Sequence, residues 1–415
     1  MSSLSNELQT RRSNNLIGTK NLLYKDSFII TRGDMQYLYD ENDNQYLDML
    51  GGFSVIAFGH ANKYITTEIS NQINKVIHST QIFLNEPIVD LAELLHENLD
   101  SSLSKSFFLN SGSEANEMAI SLAKKHTGKT DILYMEKSLH GRTRLTLEVT
   151  NMQMWHPESN MNDEQLLVTS YYPEDNVSFA EQMELSLADV EAKLQANDNI
   201  GCMIIEPIQG NGGVRYPHRD YFKRLKAILE KYNVLLIMDG AQTGLGRTGY
   251  TYAHQYFDVV PDILMTCKSL GNGMPISSCT TTDQIAASYT VPTASTTGGN
   301  MASCAGAIGV LKYYKEHDVL SHVQKLIPVF DQILDELQSE FDCISSIRGV
   351  GLIRGIEFNM ELNEKIIEAL KEEQIIVGKS GVSREVMLLE PPLVISEANL
   401  QQFKEAMTKV LNNLN

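Results

Sequence analysis

Apolar and polar positions alternate through the middle of the chain in a pattern that predicts a parallel β-sheet. The segments Cys202–Glu206, Val234–Asp239 and Ile263–Lys268 are short apolar runs with the length of buried strands. Between the first two, Tyr221–Tyr232 has the apolar spacing of an amphipathic helix. Strand, helix and strand at this spacing predict an α/β architecture with right-handed crossover connections.

The two ends of the chain follow a different pattern. Residues 26–60 alternate around the turn residues Asp40–Asn44, which predicts short strands. Towards the C-terminus the pattern predicts a helix near Asn363–Glu373 and strands at Ile375–Val377 and Val386–Leu389. A final helix presents one apolar face, formed by Leu400, Phe403, Met407, Val410, Leu411 and Leu414.

This change of pattern predicts two domains. We expect a large domain over residues 61–315 and a smaller α+β domain over residues 316–415. Residues 1–60 are expected to supply an N-terminal arm and further strands to the small domain.

Charge and cysteine usage narrow the function classes. The chain has 34 Lys and Arg against 52 Asp and Glu, a net charge of −18, which argues against nucleic acid or an anionic membrane as a partner. No apolar run approaches the roughly 20 residues of a membrane span. The five cysteines have no metal-ligand or redox spacing, and the N-terminus lacks the apolar core of a secretory signal. We expect a cytoplasmic protein.

The first candidate for chemistry is the segment Asn110–Glu117. Ser111 and Glu114 have the spacing of a capping box, and apolar residues at helical spacing follow. A turn that leads into a helix N-terminus offers free N–H groups to a phosphate. A helix that is merely well capped would give the same pattern.

The second candidate is Asp239, which ends an apolar strand where α/β folds place ligand-binding residues. The following Gly244–Gly249 matches GxGxxG, but a tyrosine-rich segment follows it instead of an amphipathic helix. We therefore interpret that match as coincidental.

The third candidate is Lys268, a lysine that closes an apolar run and enters a glycine-rich loop. Burying a lysine is costly, and one chemical use for it is a Schiff base with a carbonyl. A surface lysine at a strand end is the alternative. A phosphate-binding turn, an aspartate and a lysine at successive strand ends together predict the cofactor pyridoxal 5′-phosphate, whose ring nitrogen needs a carboxylate partner.

Several stretches, in this order, resemble the class III pyridoxal-phosphate-dependent aminotransferases of fold type I: GGFSVIAFGH, FFLNSGSEANE, LHGRT, IIEPIQGNGG, DGAQTGLGRTG, CKSLGNGMPI, STTGGN and RGVGLIRGIEF. The likeness extends from about Tyr24 to the last helix. It is greatest to the branch that contains type 2 alanine–glyoxylate aminotransferases and amino-phosphate phospho-lyases. The resemblance implies a mostly parallel seven-stranded sheet sandwiched by helices in the large domain.

The resemblance also implies roles for individual residues. Lys268 corresponds to the Schiff-base lysine and proton shuttle, Asp239 to the partner of the pyridine nitrogen, and Gln242 to the contact with the ring hydroxyl. Thr296 corresponds to a phosphate-binding threonine delivered by the other subunit, which implies an obligate homodimer with shared active sites. The remaining cofactor contacts are expected from Gly112, Ser113, Leu139, His140 and Ala241.

The substrate side departs from the family pattern. Leu139 stands where the family has an aromatic residue that stacks on the cofactor ring, and Leu388 stands where most members have an arginine that binds the substrate carboxylate. Glu206 matches a glutamate that gates the pocket, and Phe53 is expected to reach the pocket from the partner subunit. A basic cluster that replaces the arginine would come from His140, Arg142, Arg144 and Arg215.

Two functions follow from these residues. The first is an aminotransferase that takes a small primary amine, an ω-amine or an amino acid, as donor and pyruvate or glyoxylate as acceptor. The alternative is an ammonia-lyase or phospho-lyase on a small amino alcohol phosphate or hydroxy-aminophosphonate. The missing arginine favours the alternative, because a lyase binds no 2-oxo acid. A non-enzymatic protein is disfavoured because Lys268, Asp239, Gln242 and Thr296 are all present.

Overall fold

The computed structural model describes residues 3–18, 23–25, 28–157, 166–172, 177–382 and 384–414. The strands are β1 (Ile30–Asp34), β2 (Tyr37–Asp40), β3 (Gln45–Asp48), β4 (Lys105–Leu109), β5 (Asp131–Met135), β6 (Leu166–Thr169), β7 (Ile200–Ile205), β8 (Leu235–Asp239), β9 (Ile263–Thr266), β10 (Ser277–Thr281), β11 (Ser346–Val350), β12 (Ile353–Glu357), β13 (Ile375–Ile376), β14 (Gly378–Ser380) and β15 (Val386–Leu389).

The helices are α1 (Ser3–Asn15), α2 (Gly51–Ser54), α3 (Lys63–Lys75), α4 (Glu86–His96), α5 (Gly112–Thr127), α6 (Arg144–Glu148), α7 (Phe179–Ala196), α8 (Tyr221–Lys231), α9 (Ala253–Tyr256), α10 (Asp283–Ala287), α11 (Met301–Glu316), α12 (Val319–Glu340), α13 (Met360–Glu372) and α14 (Glu397–Leu414). The element α2 is a left-handed turn, since Gly52 and Phe53 have φ values of 60° and 63°.

A seven-stranded sheet forms the centre of the fold, in the order β4-β10-β9-β8-β7-β5-β6. Neighbours from β9 to β6 pair in parallel, and β10 alone runs antiparallel to both of its neighbours. Every residue of β7, β8 and β9 is buried, as expected for strands covered on both faces. The predicted α/β fold with a mostly parallel seven-stranded sheet is confirmed.

Two smaller sheets accompany the central one, and the first of them joins distant parts of the chain. The N-terminal strands continue into the C-terminal segment in the order β1-β2-β3-β13, where Leu47 pairs with Ile375 in parallel. The third sheet has the order β11-β12-β15-β14. The division of the chain at residues 60 and 315 stays a prediction.

The last helix, α14, buries most of its predicted apolar face. Five of the six predicted positions on α14 are buried, whereas Leu414 is 40% exposed because it lies in the last turn of the helix. The N-terminal segment expected as an arm contains helix α1. Within the described part of the chain, no helix has both the length and the apolar character needed to cross a bilayer.

Candidate active site

A cavity of about 380 Å³ lies where the carboxyl ends of β8 and β9 meet the N-terminus of α5. Its volume is in the range of small-molecule sites. Nine of the predicted site residues line it: Gly112, Ser113, Leu139, His140, Glu206, Asp239, Ala241, Gln242 and Lys268. The other lining residues are Asn116, Gly141, Arg142, Trp155, Asn211, Met265 and Cys267.

The N-terminus of α5 forms one end of this cavity. Ser111 is the N-cap, and its Oγ accepts a hydrogen bond from Glu114 N at 3.3 Å. Glu114 Oε2 in turn accepts from Asn110 N at 2.9 Å. The N–H groups of Gly112 and Ser113 have no intrahelical acceptor, because they lie in the first turn of this 16-residue helix, at its positive end. The first turn therefore suits an anion.

Asp239 is only 4% exposed at the end of β8, yet hydrogen-bond donors surround its carboxylate. Asn116 Nδ2 donates to Oδ2 at 2.8 Å, and His140 Nδ1 lies 2.9 Å from the same oxygen. Ala241 N donates to Oδ1 at 3.1 Å. These donors stabilise a buried negative charge. Asn116 is a site residue that the sequence analysis missed.

Two polar atoms beside Asp239 are left without partners. His140 Nε2 and Asn116 Oδ1 are both buried, and neither has a hydrogen-bond partner within the described residues. Unsatisfied buried polar groups are costly and mark sites where a ligand or water binds. Both flank the residue expected to hold the pyridine nitrogen.

Lys268 lies two residues beyond β9, in the turn Lys268–Leu270, with a left-handed φ of 44°. A non-glycine residue in this region carries backbone strain, and such strain concentrates at functional sites. Among the described residues, Nζ makes no hydrogen bond or ion pair. The strand predicted over Ile263–Lys268 is two residues too long because the chain leaves the sheet after Thr266.

Glu206 forms a buried wall of the cavity and is 5% exposed. Its Oε1 accepts a hydrogen bond from Leu139 N at 2.8 Å. Burial, together with the negative charge of Asp239, raises the pKa of the Glu206 carboxyl well above its ordinary value, against a lowering by the charge of Lys268. The uncharged form of Glu206 is therefore favoured in the cavity.

Arg142 supplies the positive charge at the open side of the cavity. Its side chain is exposed, and its guanidinium lies over the ring of Trp155, 5.6 Å from the ring centre. Of the other cations considered for an anionic substrate, His140 is engaged with Asp239, and Arg144 pairs with Glu148. Arg215 stacks on Tyr172 instead of lining the cavity. Arg142 is thus the cation best placed to meet a substrate.

Three predicted site residues do not line this cavity. Leu388 is fully buried in β15, where it pairs with Gly355 and Gly378. Phe53 lies in the left-handed turn α2, and Thr296 is exposed on the surface of the chain. The expectation that Thr296 and Phe53 act from a partner subunit stays a prediction.

The cavity fits pyridoxal 5′-phosphate. The N–H groups of α5 suit the phosphate, the Asp239 carboxylate suits a protonated ring nitrogen, and Lys268 lines the same cavity. The side chains of Leu139 and Ala241, both in the lining, are apolar.

The chain is similar to known proteins in both sequence and structure. Residues 22–411 match the profile of the family described as Aminotransferase class-III. The chain is 33% identical over 382 residues to acetylornithine aminotransferase from Bacillus anthracis, covering 92% of this chain and 94% of the relative. The Clostridium acetobutylicum acetylornithine aminotransferase is 34% identical, covering 88% and 91%. A phospholyase from Arthrobacter, solved with phosphoethanolamine, superposes with a TM-score of 0.91 at 27% identity, covering 98% and 100%.

Proposed function

Since the chain belongs to the class III aminotransferase family, whose members are pyridoxal-phosphate-dependent enzymes, we propose that it transfers the amino group of a small carboxylate-bearing primary amine to a small 2-oxo acid. The donor is an ω-amine or an amino acid, and the acceptor is pyruvate or glyoxylate. The observation that carries this proposal is the distribution of cations. Among the described residues that line the cavity, there is one lysine, Lys268, and one arginine, Arg142.

One arginine limits what the cavity can bind. A guanidinium holds a carboxylate through two parallel hydrogen bonds, so Arg142 accommodates one carboxylate. The position that holds a second arginine in most of the family is Leu388, fully buried in β15. A 2-oxo acid with one carboxylate therefore suits this cavity better than a dicarboxylic acceptor.

Each residue of the site has a separate role in this reaction. The bound cofactor supplies an electron sink for the carbanion that forms at the substrate carbon. Lys268 Nζ would remove the proton from that carbon and carry it for delivery to the cofactor, since this amine lines the cavity and has no partner among the described residues. Asp239 would pair with the ring nitrogen, and its carboxyl group is held in place by donors from Asn116 and Ala241. Arg142 orients the carboxylate of the substrate.

We also propose that the protein is a homodimer and lies in the cytoplasm. Thr296 is exposed, and so is the apolar segment Ile82–Leu84, whose residues are 80%, 65% and 104% exposed. The two regions are adjacent, because Gln81 Nε2 donates to Gly298 O at 2.8 Å. A contiguous exposed apolar surface is typical of a protein interface. A second copy docked here would bring Thr296 of each subunit towards the other's site.

A lyase is the second candidate function. The loss of the arginine at Leu388 and the similarity to a phospholyase solved with phosphoethanolamine favour it. In this case Arg142 would bind a phosphate or phosphonate, Lys268 would remove the same proton, and a substituent on the next carbon would leave.

One experiment separates the two functions. The holoenzyme is mixed with a panel of amines, amino acids and amino alcohol phosphates, first without any 2-oxo acid and then with pyruvate. We expect a single equivalent of amine to be converted without ammonia, and turnover with formation of alanine once pyruvate is added. Many equivalents of ammonia without pyruvate would establish the lyase instead.

A further inference from the structure

Glu390 is a fully buried carboxylate beside the cavity that the analysis of the sequence did not single out. It directly follows β15 and precedes Pro391. Its Oε1 accepts a hydrogen bond from Gln242 Nε2 at 2.7 Å. Its Oε2 is buried and makes no hydrogen bond of good geometry in the described part of the chain, although the Ser54 hydroxyl interacts with the carboxyl group. A carboxyl group in this state needs an explanation.

A contribution to the stability of the fold does not explain why a glutamate is buried at position 390. Burial raises the pKa of its carboxyl, while the charges of Lys268 and Arg247 and the side chains of Gln242 and Ser54 lower it. Burying a carboxyl group costs desolvation free energy, and an apolar residue of similar size is often as stable. The neighbouring Leu388 and Leu389 show that the same strand accommodates apolar side chains with no exposure at all.

The hydrogen bond does have one definite effect, which is to orient the amide of Gln242. Oε1 of Glu390 accepts from Nε2 of Gln242, and this hydrogen bond turns the nitrogen of the amide towards Glu390. Its Oε1 then accepts from Asn211 Nδ2 at 3.3 Å. Two partners on opposite atoms thus select the same orientation. The second hydrogen of Nε2 remains available to the cavity that Gln242 lines.

The backbone holds Glu390 in place for this task. Glu390 N donates to Met49 O at 2.8 Å, which joins the end of β15 to the chain just before α2. On the other side, Arg247 is 1% exposed and donates through a terminal nitrogen to Pro391 O at 2.6 Å. The carboxylate therefore has little freedom to move away from Gln242.

We propose that Glu390 is a positioning residue that acts through Gln242, fixing the amide as a hydrogen-bond donor to the ring hydroxyl of the cofactor. The inference rests on the cofactor contact proposed for Gln242. It concerns cofactor binding alone and requires no particular amine substrate.

The test is a double-mutant cycle on holoenzyme without any amine or 2-oxo acid. Glu390→Gln, Gln242→Ala and the double variant are compared with wild type by the dissociation constant of the cofactor, its absorbance spectrum and the thermal unfolding midpoint. Glu397→Gln makes the same chemical change at an exposed position of α14 and serves as the matched control. Glu390→Asp keeps an acceptor-only carboxylate on a shorter side chain.

We expect Glu390→Gln to weaken cofactor binding roughly tenfold, the value of one hydrogen bond to a charged group, and to change the spectrum. It should have no further effect on binding or spectrum in the Gln242→Ala background. Glu390→Asp should retain binding better than Glu390→Gln, and Glu397→Gln should match wild type.

A merely structural role for Glu390 predicts the opposite order. The isosteric glutamine would then be tolerated better than aspartate, and the unfolding midpoint would change while the spectrum did not. An equal effect of Glu390→Gln with and without Gln242 would also overturn the inference. Because no amine is present, a wrong substrate assignment leaves these results unchanged, and a failed Glu390 role leaves the transamination assay unchanged.

Discussion

Asp239 and Lys268 lie at the ends of neighbouring strands, and they differ in the hydrogen-bond partners around them. Three donors, from Asn116, His140 and Ala241, surround the aspartate, whereas no described side chain pairs with the lysine amine. The Asp239 carboxylate, which has to stay in place, is thus well hydrogen-bonded. The Lys268 amine, which has to react, is left without a partner.

Replacing Asp239 by asparagine should preserve the shape of the cavity and remove its central charge. We expect the turnover rate to fall roughly 10²- to 10³-fold, as for other preorganised electrostatic groups, with the cofactor still bound. The control is Asp258→Asn, whose ion pair with Lys223 lies at the surface. Steady-state kinetics that left the Asp239→Asn variant as active as the control would contradict the assigned role.

Replacing Arg142 by alanine should raise the KM of a carboxylate-bearing amine roughly 10- to 100-fold, because a charge-assisted pair of hydrogen bonds is lost. The KM of an amine without a carboxylate should stay the same. Arg144→Ala is the control, because Arg144 lies two residues further along the chain, pairs with Glu148 and does not line the cavity. Equal effects of the two substitutions, or an equal effect on both amines, would rule out Arg142 as the carboxylate ligand.

Glu206 should make the stability of the cofactor-free enzyme depend on pH. Its pKa is raised in the folded state above the ordinary value of 4.5, so the folded state binds the proton more tightly than the unfolded state. The stabilisation is complete below pH 4.5 and is lost as the pH rises through the folded-state pKa. Urea unfolding from about pH 4 upwards should show a smaller loss for Glu206→Gln than for wild type. An identical pH profile for both would show that Glu206 is not held in its uncharged form.

At the scale of elements, the left-handed turn α2 packs against the segment that follows β15. Gly51 has a φ of 56°, and a Cβ there would lie 2.7 Å from Glu390 O. The turn and the residue that orients Gln242 are therefore in direct contact. A sequence pattern of strand residues followed by Gly-Gly shows that a turn is present, but it does not show which distant segment the turn contacts.

This contact predicts an unusual cost for Gly51→Ala. Both the backbone strain and the overlap with Glu390 O should lower the free energy of unfolding, by about 3 kcal/mol or more in total. Gly128→Ala is the matched control, because Gly128 has a φ of 71° but nothing within 4 Å of its Cβ position. The control should lose only about 1–2 kcal/mol. Equal losses in chemical denaturation would show that the overlap relaxes at no cost.

The sequence predicted the site residues that belong to local motifs and missed those that depend on tertiary contacts. Asp239 and Lys268 could be predicted because each ends an apolar run that the sheet buries. Asn116 and Glu390 could not, since they meet their partners across 123 and 148 residues of chain. The one available signal for Glu390 was a glutamate between apolar strand residues and two prolines.

At the scale of the whole molecule, the exposed apolar segment Ile82–Leu84 should lie in a dimer interface. Leu84→Asp should convert the dimer to a monomer with most activity lost, because Thr296 would no longer reach the partner's site. Leu84 is 104% exposed in the single chain, and Ile17→Asp, at a residue 105% exposed, is the matched control. Analytical ultracentrifugation that finds both variants with the wild-type mass would place the interface elsewhere.

We expect the cavity at the carboxyl ends of β8 and β9 to hold the cofactor, with Lys268 as its covalent partner. Borohydride reduction of the holoenzyme fixes the cofactor to the lysine that carries it, and peptide mapping by mass spectrometry then identifies that lysine. We expect the added mass on the peptide that contains Lys268, and none on any peptide of the Lys268→Ala variant. A modified peptide elsewhere in the wild-type chain, or no modified peptide at all, would contradict the account of the site.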